Sequence, residues 1–238
     1  MAPVFLLAAT AAACSPLSAA YAELTSRLPP VPCRDDLAKL AESTFHQLGR
    51  AVEIGVNEGK FSAKNLALWS GQYVLVDYWN HRPADMHRDH NQLDHRLHQL
   101  RYQQAMGRTQ PFNASGRVPV VRKMSVAAAA DFPDEHFDWI YVDALHTYKA
   151  VLADVRAWWP KLRPGGLMSG DDYGNVDMPM ELLNASRWRS HFKFDPSPFR
   201  WNTVSAVQKF AAEQCVAVHI TWLHDCYQFP AWYAVKPL

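Results

Sequence analysis

The sequence predicts an α/β fold built on a mostly parallel sheet with helices on both faces, and three observations predict it. The stretch Phe137 to Tyr173 reads strand, helix, strand, with acids at the C-terminal end of each strand: Asp143 after the first, Asp171 and Asp172 after the second. Residues 50–59, Arg-Ala-Val-Glu-Ile-Gly-Val-Asn-Glu-Gly, read as a buried strand that breaks into a glycine loop and then a helix. The apolar run Tyr73-Val74-Leu75-Val76 ends on Asp77, about 20 residues past that loop, where nucleotide-binding α/β folds carry an acid for ribose hydroxyls. Ligands of open parallel sheets sit at the carboxyl ends of the strands. All three observations therefore aim chemistry at one edge.

The elements follow in order. Val4 to Ala13 is apolar and Ala-rich, and Ala20-Tyr21-Ala22 has the small-x-small form of a signal-peptidase site. Residues 1–22 thus read as a signal peptide cleaved before Glu23, which places the chain in the secretory lumen or outside the cell. The segment's start carries no basic side chain, and an organelle or the cytoplasm is the alternative. The apolar run is too short to span a bilayer. Residues 23–33 hold Pro29, Pro30 and Pro32 and read as a linker, and Asp35 to Leu48 reads as a helix, so 23–47 precede a domain at 48–238. There follow strand 50–55, helix 60–70 and strand 73–77. A histidine-rich polar segment, His81 to His98, runs into a helix ending near Met106. Its histidines lack companion cysteines and are interleaved with Arg82, Arg88 and Arg96, which argues against zinc. Then come strand 118–122, a short helix opened by Ser125, strand 137–143, helix 148–159, a Pro164-Gly165-Gly166 turn and strand 166–170. Residues 174–200 carry three prolines and read as a loop over the site. Helix 204–214, strand 216–221 and strand 231–235 close the chain. The nine-residue break before the last strand suits an antiparallel pair.

Composition narrows the classes. A chain of 238 residues suits one α/β domain with a short extension. Its net charge of +1 removes any broad electrostatic case for nucleic acid. The nine tryptophans read mainly as packing. Asn113-Ala114-Ser115 and Asn184-Ala185-Ser186 fit the glycosylation sequon. Cys14 would leave with the signal; Cys215 could pair with Cys226 and leave Cys33 odd, or all three could stay thiols. Oligomeric state is left open, a homo-oligomer included.

The loop is not the Gly-x-Gly-x-x-Gly of dinucleotide folds but acid-x-Gly-x-x-x-Gly, from Glu53 to Gly59. With Asp77 and the Pro-Gly-Gly it resembles the class I S-adenosylmethionine-dependent methyltransferases over roughly Leu48 to Pro237. Within that class, VDALHTY…DVRAWWPKLRPGGLMSGDDY resembles the small O-methyltransferases of methyltransferase family 24, related to macrocin O-methyltransferase. Many of these read His-Asp-Tyr where this chain has Asp171-Asp172-Tyr173. The resemblance implies a Rossmann-like, mostly parallel seven-stranded sheet with a reversed last strand. It also implies S-adenosylmethionine as cofactor and O-methylation of a small-molecule hydroxyl, a sugar or polyol included.

The candidate residues fall into three groups. Glu53, Gly55, Asn57 and Gly59 would meet the cofactor's methionine end, with the acid facing an ammonium and the loop amides a carboxylate. Asp77 would accept from the ribose hydroxyls, and the resemblance puts Ser125 against the adenine, a helix N-cap being the alternative. Asp143, Asp171 and Asp172 offer hard oxygen ligands suited to Mg²⁺, and the resemblance matches them to the acids of metal-dependent O-methyltransferases. A metal there would lower the pKa of the acceptor hydroxyl; capping of the following loop is the alternative. Asp143 also falls within reach of the cofactor. His146, three residues on, is a candidate general base, with Tyr148 and Tyr173 as weaker candidates for the pocket wall. Two other functions compete: a nicotinamide-dependent oxidoreductase, which the loop pattern opposes, and a non-catalytic binding protein of the same fold.

Overall fold

The computed structural model describes residues 19–80, 95–174, 202–221, 226 and 229–238. Residues 1–18 of the expected signal, residues 81–94 of the histidine-rich segment, the second sequon and nearly all of the expected covering loop lie outside them.

The chain runs α1 (Ala19–Ser26), a tight turn Arg34–Asp36, α2 (Leu37–Leu40) continued by a wider turn Ala41–Phe45, β1 (Arg50–Ile54), α3 (Lys60–Leu66), β2 (Gln72–Val76) and α4 (His95–Thr109). It continues with β3 (Val120–Val121), α5 (Ser125–Ala129), β4 (Phe137–Val142), α6 (Tyr148–Trp158), β5 (Leu162–Gly170), α7 (Thr203–Gln214), β6 (His219–Ile220) and β7 (Trp232–Val235). The seven strands lie in the order β3-β2-β1-β4-β5-β7-β6. β7 is antiparallel to β5 and to β6, and the other pairings are parallel, as the short last connection predicted. Strand order reverses between β1 and β4, which makes the gap at their carboxyl ends the topological switch point.

Alternation along β1 splits the core. Val52 and Ile54 face one side with Ile140, Met168 and residues of α5, α6 and α7. Ala51 faces the other side with Tyr73, Trp139 and Tyr141, covered by α2 and α3. The segment expected to be a linker belongs to this second layer, since Val31 and Cys33 are buried there. Helix α1 crosses the expected cleavage point. Tyr21 within it is buried, and its hydroxyl accepts from the Ala217 amide at 3.3 Å. At the opposite sheet edge from the switch point, buried Asp138 accepts from the Leu48 and Arg50 amides at 2.8 and 3.2 Å and from Arg163 Nε at 2.5 Å. That pair anchors the start of β1 to β5.

Three local expectations change. The Pro164-Gly165-Gly166 segment is not a turn ahead of the strand but lies within β5, where the pairing with β4 shifts register. The helix expected at 35–48 is broken into three short turns of different winding. The Cys215–Cys226 pair is not formed: Cys33 and Cys226 are free thiols lying against each other. No helix among the described residues is long and apolar enough to cross a membrane.

Candidate active site

The glycine loop forms because β1 must turn back over β4. Gly55 takes φ +90°, and a Cβ there would fall 1.9 Å from the Asp143 carbonyl oxygen. Gly59 takes φ +71°, and a Cβ there would fall 2.8 Å from Ala105 Cα on α4. At both positions the space a side chain would need is taken by the chain's own backbone.

Asp77 and Trp79 hold the loop in place. Asp77 Oδ2 accepts from the Asn57 amide at 2.8 Å, and Oδ1 accepts from the Trp79 amide at 2.9 Å. Burial raises the Asp77 carboxyl above its ordinary value, while those amide bonds work the other way. The buried Trp79 indole donates to the Asn57 carbonyl at 2.8 Å. Asn57, Trp79 and Asp172 all have left-handed backbone, with φ of 53°, 41° and 50°. Such strain collects where a binding edge is built. Trp79 carried no periodic signal, yet the Asp-x-Trp spacing is that of an Asx-turn.

Glu53 does not sit open at the strand end. It is buried, its Oε2 accepts from Tyr73 Oη at 2.8 Å, and burial foremost pushes its pKa to about 8. Without a counter-charge beside it, that burial holds the carboxyl neutral at pH 7. The raised folded-state pKa means that stability is full below about pH 4.5, where both states are protonated. It is lost as pH climbs towards 8, because only the unfolded chain releases the proton over that window. Glu53→Gln should therefore flatten the fall in stability between those pH values, a term on the order of 5 kcal/mol at most. Denaturant titrations at pH 5 and pH 8 measure it; parallel slopes for the two proteins would refute it.

At the ends of β4 and β5 the acids meet a histidine and an arginine. His146 Nε2 lies 3.2 Å from Asp143 Oδ1 and 3.6 Å from Asp172 Oδ2. The Asn202 amide donates to the His146 carbonyl at 3.0 Å, and Thr147 caps α6 next to it. Arg34, which the sequence did not single out, pairs with Asp171 and stands 3.8 Å from Asp143 Oδ2. Its guanidinium carbon lies over the Phe61 ring at 4.9 Å. Near them Tyr141 Oη is buried without a hydrogen-bond partner among the described residues. The expected Mg²⁺ cradle does not form, because a guanidinium faces the oxygens that would ligate the metal. Among the described residues no group of three or more His, Cys, Asp or Glu could hold a metal ion.

Ser125 opens α5 but does not cap it, that position being Met124. Its Oγ accepts from Trp158 Nε1 at 3.0 Å, which leaves its own proton to donate. Tyr173 packs into the core beside α7 and is not a pocket wall, while Tyr148 is half-buried against the same core. The acid at the β2 end, the hydroxyl after β3 and the clamped loop suit a nucleoside-bearing cofactor at the switch point.

The strand order, the reversed last strand and the loop define a Rossmann-like class I methyltransferase. The methyltransferase family 24 profile, described as a methyltransferase domain, matches residues 52–173, and the chain belongs to that family. Solved structures agree on the fold. A Corynebacterium glutamicum protein is 15% identical over 94% of this chain and 92% of its own, with a TM-score of 0.58. An O-methyltransferase from Bacillus cereus, in complex with S-adenosylhomocysteine, is 17% identical over 93% and 92%, with a TM-score of 0.52. The O-methyltransferase TomG from Streptomyces achromogenes, involved in tomaymycin synthesis and solved with S-adenosylmethionine, is 15% identical over 86% and 78%, with a TM-score of 0.51. No curated protein of known activity matches by sequence.

Proposed function

We propose that this methyltransferase transfers the methyl group of S-adenosylmethionine to a hydroxyl oxygen of a small molecule, a sugar or polyol being the leading class. The observation that carries the reading is His146 held between Asp143 and Asp172 at the switch point, beside the clamped glycine loop. Asp77 and Ser125 would hold the ribose and adenine, and the Gly55–Gly59 loop would hold the methionine end. When bound, the cofactor supplies a methyl group on a sulfonium and leaves as a thioether. The chain's part is positioning and proton removal. The two carboxylates on Nε2 place a proton there, which makes Nδ1 the basic nitrogen of His146. Nδ1 takes the acceptor's hydroxyl proton, and Asp143 steadies the imidazolium that results.

Calorimetric titration with S-adenosylhomocysteine is the first test. The protein is expected to bind it, and Asp77→Ala to weaken binding at least tenfold, about 1.4 kcal/mol. No binding by the folded protein would remove the methyltransferase reading; an unchanged affinity in the variant would remove the ribose role of Asp77. Export is proposed on residues 1–22 alone. Cleavage before Glu23 would uncover the site that Tyr21 fills, and N-terminal sequencing of protein from its native host decides it.

A further inference from the structure

A cation of the chain's own lies where the ends of β4 and β5 meet. Arg34 is held from both sides. Asp36 Oδ2 accepts from the Cys33 amide at 3.1 Å, and Lys64 Nζ reaches Asp35 at 2.5 Å, which ties the Arg34–Asp36 turn to α3. Phe61 of α3 lies under the guanidinium and packs on Tyr141 at 4.5 Å between ring centroids. The Arg34 side chain is 17% exposed and that of Asp171 only 6%, so this is no surface arginine swinging onto an acid. A buried carboxylate that loses its counter-charge is costly, and the pair holds itself together. Two buried polar atoms nearby, Tyr141 Oη and Asp171 Oδ1, have no hydrogen-bond partner among the described residues, and buried polar groups are seldom left so.

We propose that Arg34 is the resident cation of this site and keeps divalent metal from Asp143 and Asp171, so that methyl transfer here needs no metal. The proposal rests on the methyltransferase reading above. A guanidinium stays charged at any working pH. It donates through a planar fork and does not chelate. The acceptor oxygen is drawn to Arg34 by charge and hydrogen bonding, so a single hydroxyl suffices and a chelating pair of oxygens is not required.

The test titrates Mn²⁺ into the full-length, metal-free protein and reads free Mn²⁺ by electron paramagnetic resonance, with and without saturating S-adenosylhomocysteine. The expected result is no Mn²⁺ binding by the unaltered protein up to about millimolar concentration, the weak end of biological cation sites. Arg34→Ala is expected to gain Mn²⁺ binding at least tenfold above that limit. Should Arg34→Ala fail to fold, Arg34→Gln removes the charge while keeping most of the volume. Binding by the unaltered protein overturns the proposal. A folded variant that also binds no Mn²⁺ overturns it too, because Arg34 is then not what excludes the ion. Failure of S-adenosylhomocysteine to bind counts against the methyltransferase reading instead and is read separately.

Discussion

Gly55→Ala is expected to destabilise the protein by roughly 4 kcal/mol or more, the range of severe single substitutions. The new Cβ would fall 1.9 Å from the Asp143 carbonyl oxygen, 2.4 Å from its carbon and 2.8 Å from Ala144 Cα. All three are backbone atoms, and none can rotate away. Nor can the strands slide apart, since the Gly55 amide donates to Val76 at 2.8 Å and the Asp143 amide to Ile54 at 2.7 Å. A φ of +90° adds strain for any residue with a side chain. Thermal unfolding should show a midpoint roughly 10 °C lower, together with loss of S-adenosylhomocysteine binding. Gly107→Ala on α4 is the control: nothing lies within 4 Å of its Cβ, and the change should be neutral or stabilise by up to about 1 kcal/mol. A Gly55→Ala protein that melts with the parent would refute the loop geometry.

His146→Ala should lower methyl transfer by about 10²- to 10⁴-fold, the usual worth of a positioned base. Affinity for S-adenosylhomocysteine should stay within about threefold, because His146 is built into the acceptor side of the edge. Asp143→Asn should slow transfer as well, since it weakens the carboxylate that fixes the imidazole at 3.2 Å. Single-turnover rates and cofactor titrations on the same preparations separate the two effects. If His146→Ala loses the cofactor along with the rate, the division of labour between the β2 and β4 ends is wrong.

What the sequence disclosed was what repeats locally. β4 is six residues, apolar but for Asp138 and buried along its length, and α6 carries its buried face at helical spacing, so both were legible. The acids at the strand ends were legible because a strand that ends on Asp presents it to the sheet edge. Their partners were not. Arg34 sits in a proline-rich stretch with no period, and it meets Asp143 and Asp171 only after the whole sheet has formed. The depth of Glu53 was hidden for a related reason: its neighbour Tyr73 comes from β2, so the pair exists only through strand register. Gly55 was marked as a glycine that mattered, but a ligand and a crossing backbone leave the same trace in a sequence. The cysteines were left open in the sequence because what decides them is tertiary: the turn before α2 brings Cys33 to Cys226.

The placement of β7 bears on how the molecule is made. The strand lies between β5 and β6 and pairs with both, although it follows both in the chain. While the chain emerges from the ribosome, β1 to β5 can assemble, but β5 presents an open edge with unmet backbone groups. Closure waits for Trp232–Val235 to leave the exit tunnel and slot in. A chain cut short after α7 would therefore leave the sheet with its adhesive side uncovered, and Trp232–Val235 guard against aggregation as well as completing the sheet.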